Sequence, residues 1–80
     1  MRAYRYAIQR QDGGEYLRDV LTLRGDDGLP IVVGVTWTTD PAQAMRWQGV
    51  KSAAHMAREL GERKVYIINK RGRVVRELVF

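Results

Sequence analysis

Eighty residues carrying 14 Lys and Arg against 9 Asp and Glu, with a net charge of +5 and no cysteine, describe one small basic domain over 1–80. The absence of cysteine excludes a disulfide framework and thiolate chemistry, and no apolar run approaches the ~20 residues of a membrane span. A chain of this size buries roughly 60% of its unfolded surface, so its core must be thin.

The first segment, Arg2 to Gln11, alternates as a half-buried strand does, with Tyr4, Tyr6 and Ile8 on one face and Ala3, Arg5, Ala7 and Gln9 on the other. That alternation also separates it from the apolar core of a signal peptide. Met1 and the apolar "ELVF" end read as a complete small gene product, and the expected setting is the cytoplasm. "DGG" at Asp12 to Gly14 is a turn, because glycine supplies the positive φ that tight hairpins need. Glu15 to Arg24 then reads as a returning strand with Leu17, Leu21 and Leu23 on one face.

"RGDDG" at Arg24 to Gly28 breaks the chain again. A third strand is expected over Pro30 to Thr38, with Ile31, Val33, Val35 and Trp37 opposing Val32, Gly34 and Thr36. Apolar residues on both faces suggest a central position in the sheet. Asp40 is a good N-cap and Pro41 a good first helical residue for a short helical turn ending near Trp47. A longer helix follows over Val50 to Leu60. Its apolar stripe is Val50, Ala53, Ala54, Ala57 and Leu60, and its wet face is Lys51, Ser52, His55, Arg58 and Glu59. The alanines let that helix sit close to a sheet, with Trp47 or Met56 filling the gap beside it.

The last third reads as a hairpin, Lys64 to Ile68 and Arg73 to Val79, joined by a type I turn with a bulge glycine at Gly72. Lys70 and Arg71 occupy its tip. The order β-β-β-α-β-β predicts an α+β fold: an antiparallel sheet of about five strands, with the short turn and one helix packed on one face. One helix cannot cover both faces. Apolar groups at Tyr66, Ile68, Val74, Val75, Leu78, Val79 and Phe80 therefore predict a second face covered by another copy, as in a homodimer, or by a different protein.

Catalytic residues are not expected. His55 and Ser52 lie three apart on one helix, but no carboxylate or oxyanion donors accompany them, and a solvated pair is the simpler reading. A lone histidine without cysteine does not make a zinc site, and Asp26 and Asp27 lack the ligand run of a calcium loop. Neither a metal nor a cofactor is expected. The binding candidates are cations: Lys70, Arg71, Arg73 and Arg76 on the final hairpin, with Arg63 and Lys64 at its base. Most of the chain's cations are Arg, which favours planar bidentate contact with phosphate or carboxylate, although a GC-rich gene enriches Arg without any such selection. A two-stranded ribbon with a basic tip suits nucleic-acid phosphates, with Tyr4, Tyr6 and Tyr66 as stacking surfaces if they face outward. No helix-turn-helix, zinc finger or RNP-like pattern accompanies it.

"GGEYL" (Gly13 to Leu17), Trp37 and "PAQAMRWQGVKSAAHMARELG" (Pro41 to Gly61) together resemble small phage and prophage accessory proteins over about residues 13 to 68. In that pattern Trp47 takes the place of the usual Phe, and Gly49 that of a polar helix cap. The resemblance implies a non-catalytic factor that binds and occludes a host protein or complex, a nucleoprotein included. Inhibitors of host defence, anti-CRISPR proteins among them, act in this way. The alternative is direct nucleic-acid binding by the basic C-terminal hairpin.

Overall fold

The computed structural model of the protein describes residues 4–80. Five strands, β1 (Ala7–Arg10), β2 (Tyr16–Arg24), β3 (Pro30–Thr38), β4 (Lys64–Ile68) and β5 (Val74–Val79), form one sheet in the order β3-β2-β1-β4-β5. Every pairing is antiparallel. A 3₁₀ turn (Pro41–Gln43) and one α-helix, α1 (Val50–Glu59), complete the α+β fold that the sequence predicts. Arg2 and Ala3 of the expected first strand lie outside the described residues.

The main core cluster lies beneath α1, while Ala7 and Ile68, paired with each other one position along, are buried on the other face of the sheet. Ile8, Leu17, Val65 and Ile67 on the sheet meet Ala53 and Ala57 on the helix, all fully buried. The two alanines allow the close approach, and Trp47, Met45 and Met56 pack around its edge. Gly61, at φ 77°, ends the helix as expected. Asp40 caps the 3₁₀ turn, its Oδ1 accepting from the Ala42 N–H at 2.9 Å.

Four expectations change. First, β3 is an edge strand, not a central one. The shortest strand, β1, takes the centre because Ala7 to Arg10 pair in continuous register with Ile68 to Val65. Second, the β2–β3 ladder shifts register twice, between Leu17 and Asp19 and between Leu21 and Thr22. A one-residue shift turns the following side chains to the other face. Leu17 and Trp37 therefore pair on the helix side, while Leu21, Leu23 and Ile31 lie on the opposite face. The expected single faces Leu17–Leu21–Leu23 and Ile31–Val33–Val35–Trp37 are both split in this way.

Third, the helical turn stops at Gln43 and does not reach Trp47. The segment after it wedges between β1 and β2: Met45 N–H donates to Leu17 O at 2.8 Å, and Trp47 exchanges backbone hydrogen bonds with Tyr6. That wedge has a consequence for β2. β1 pairs with β2 in the ladder at Gln9 and Tyr16, next to the Arg10 N–H to Glu15 O bond of the turn, so beyond Leu17 the β2–β3 ribbon runs on without β1 beside it. Fourth, the tyrosines are not a common stacking surface. Tyr4 is exposed, whereas Tyr6 packs against the core and Tyr66 is half-buried.

Candidate binding surfaces

The C-terminal hairpin closes as its residues dictate. Gly72 N–H donates to Asn69 O at 3.0 Å, Asn69 N–H donates to Arg73 O at 2.9 Å, and Gly72 takes φ 79°. The Asn69 side chain braces the turn, its Oδ1 accepting from the Arg71 and Arg73 N–H groups at 2.9 and 3.0 Å. Lys70 and Arg71 are left exposed at the tip.

The six cations expected to act together fall into three places. Lys70, Arg71 and Arg73 join Arg5 and Tyr6 around an open groove of about 290 Å³ at the tip. Arg63 and Lys64 lie at the far end of the hairpin, where Lys64 pairs with Val79 and Phe80 N–H donates to Arg63 O. Their groove also contains Asp12 and Glu62, which offset the charge. Arg76 belongs to neither. It pairs with buried Ile67 and faces α1, sharing a groove with Lys51, Ala54, His55 and Arg58. That last grouping was hidden in the sequence, because the three helical residues read there only as a solvated face.

The ion pairs among the described residues belong to another arginine. Arg10 bridges Glu15 and Glu62, each at 3.1 Å, and its guanidinium lies 4.1 Å from the centre of the Trp37 ring. Joining the β1–β2 turn, the entry to β4 and the inner end of β3, it works as a structural clamp. No group of three or more His, Asp or Glu that could hold a metal occurs among the described residues, and none of their helices is long and apolar enough to cross a membrane.

The second surface is apolar. Leu21, Leu23, Leu29, Ile31 and Val33 are each more than half exposed, from 51% to 64%, and all lie on the outer part of the β2–β3 ribbon. Strand β3 contains no charged residue at all. Its outer side is the sheet edge, where no other strand pairs with it among the described residues, next to aliphatic side chains. Nothing in the hydrophobic spacing separated these residues from core residues, since the two bulges that expose them depend on pairing with a partner strand. Comparison with protein families, with curated proteins and with solved structures returns no match to this chain.

Proposed function

We propose that this chain is a non-catalytic binding protein that docks on a partner protein through the β2–β3 ribbon and blocks the surface it covers. The observation that carries this reading is the uncharged edge strand β3, with Ile31 and Val33 exposed on it and Leu21, Leu23 and Leu29 exposed beside it. An isolated two-stranded ribbon is marginal in water, and edges in monomeric proteins are ordinarily guarded by charge, proline or a covering element. A partner that adds a strand to β3 satisfies its backbone groups and buries its side chains in one step. The occlusion mechanism and the host target follow the resemblance to phage and prophage accessory factors, anti-CRISPR inhibitors included.

Co-purification from nuclease-treated bacterial lysate tests the proposal. Wild-type protein and the tip variant Arg71→Glu/Arg73→Glu retain one protein partner at physiological salt, and Leu23→Lys/Ile31→Lys loses it. Equal retention by the ribbon variant, or no partner for the wild type, defeats the reading. Sedimentation equilibrium identifies the case in which the edge is covered by a second copy of this chain.

A second reading, direct nucleic-acid contact by the hairpin, is favoured by one feature. The tip groove formed by Arg5, Lys70, Arg71 and Arg73 has no acidic residue in its lining.

A further inference from the structure

We infer that the cleft between α1 and β5, formed by Lys51, His55, Arg58 and Arg76, is a phosphate-backbone site that extends nucleic-acid contact from the hairpin tip along the edge of the sheet. The inference rests on the second reading above, and it adds phosphate contacts on residues outside the hairpin turn.

The cleft is built by two periodicities meeting. Lys51, His55 and Arg58 are spaced i, i+4 and i+7, which stacks them on one face of the helix over about 10 Å. Arg76 comes from the neighbouring edge strand, on the helix side of the sheet because its partner Ile67 is buried there. Between them Ala54 makes a low floor, leaving a cleft of about 180 Å³. All four polar side chains are exposed, so their donors are available.

Three observations point to an anion. No carboxylate lines the cleft, in contrast with the Arg63–Lys64 groove and its Asp12 and Glu62. None of its cations has an ion-pair partner among the described residues, where only Arg10 is paired. The helix also begins badly for an isolated chain: its N-cap, Gly49, supplies no side-chain acceptor, no acid stands in the first turn, and Lys51 does. A cation beside the positive end of the helix dipole is unfavourable. A phosphate held by Lys51 offsets that charge.

A chain of phosphates fits better than a single one. Exposed cations hold one small anion weakly in water, whereas a polyanion gains from each counterion it releases. Arg73 of the tip groove and Arg76 of the cleft are three residues apart across the β5 bulge, so within about 10 Å of each other. One strand of nucleic acid can therefore touch both.

The test is fluorescence anisotropy with a labelled mixed-sequence single-stranded 20-mer and the matching duplex, over a salt series, using full-length protein. Three double variants change net charge equally: Arg58→Glu/Arg76→Glu in the cleft, Lys70→Glu/Arg71→Glu at the tip, and Arg63→Glu/Lys64→Glu at the base. The cleft variant is expected to lose about tenfold to a hundredfold in affinity near 0.1 M salt, with a salt slope shallower by about 1 to 2 for two lost contacts. The base variant is expected to change affinity by less than about threefold, since its cations already face acids. Circular dichroism melts confirm folding, and Arg58→Gln/Arg76→Gln replaces the cleft variant if that variant melts early.

Equal loss in the cleft and base variants overturns the inference, because net charge alone would then account for binding. Wild-type binding by the cleft variant, with loss confined to the tip variant, overturns it while leaving the second reading in place. No binding by wild type at low salt removes both. Displacement of the oligonucleotide by submillimolar inorganic phosphate at matched ionic strength also overturns it, in favour of a small-anion site.

Discussion

The two edges of the sheet are built to different rules. At one edge, β5 carries Arg76 and Glu77 in its middle, follows the cationic tip, and lies beside a strand buried under the helix. At the other, β3 has no charge from Pro30 to Thr38, and the outer part of its ribbon projects past the wedge at Met45 to Trp47. Charge in an edge strand discourages further pairing, and its absence permits it. The same small sheet therefore has one edge guarded by charge and one open to another strand. Aliphatic exposure matters on β3 because it coincides with free backbone groups. Val74 and Val79 on β5 are exposed too, but charged neighbours interrupt them.

If the β4–β5 side is anchored by the core and the outer ribbon is not, truncations should affect the two sides very differently. The largest expected effect is Ile67→Ala. Ile67 is fully buried between β1, β5 and the helix layer, so its loss should cost about 2–5 kcal/mol in urea denaturation. A cost comparable to that of a surface substitution would break the comparison at its anchored end.

Arg10→Ala comes next, at roughly 1–2 kcal/mol. It removes the stacking on Trp37 and two ion pairs whose side chains are about 30% exposed, which limits each pair's worth. Because Arg10 ties the inner end of β3 to the rest, hydrogen exchange in this variant should accelerate first along β2 and β3. Uniform acceleration across the sheet would show that the ribbon has no separate stability.

Asn69→Ala should cost about 1 kcal/mol by freeing the two N–H groups that its Oδ1 accepts, read from the thermal midpoint. The smallest effect on stability belongs to Leu23→Lys/Ile31→Lys, expected within about 0.5 kcal/mol of wild type, because both side chains pack on little. A loss of several kcal/mol there would mean that the ribbon supports the fold and is not free for docking.

Much of this architecture was legible in the residues. Asp12 to Gly14, Asp40–Pro41, Gly61 and Asn69 to Gly72 punctuate the chain where their backbone preferences require, and all four boundaries hold in the structure. The third strand spans Pro30 to Thr38 and the fourth Lys64 to Ile68, as their composition implies. The helix presents Ala53 and Ala57 to the sheet and Lys51, His55 and Arg58 to solvent, as a period of 3.6 demands.

Local chemistry thus determined the turns, the caps, most strand limits and the α+β class, because each depends on a few neighbouring residues and their backbone torsions. Tertiary structure alone decided the strand order, the two register shifts of the β2–β3 ladder and the meeting of Arg76 with the helix. These depend on which distant segments pair: β1 with β4 across more than fifty residues, and Met45 to Trp47 against both Leu17 and Tyr6. A bulge is a property of two strands together, so a residue's face can be read from sequence only as far as the next one. Hence Leu21 and Leu23 read as sharing a face with Leu17 and stand on the opposite one, while Lys51, His55 and Arg58 on a wet helix face gained Arg76 from a strand.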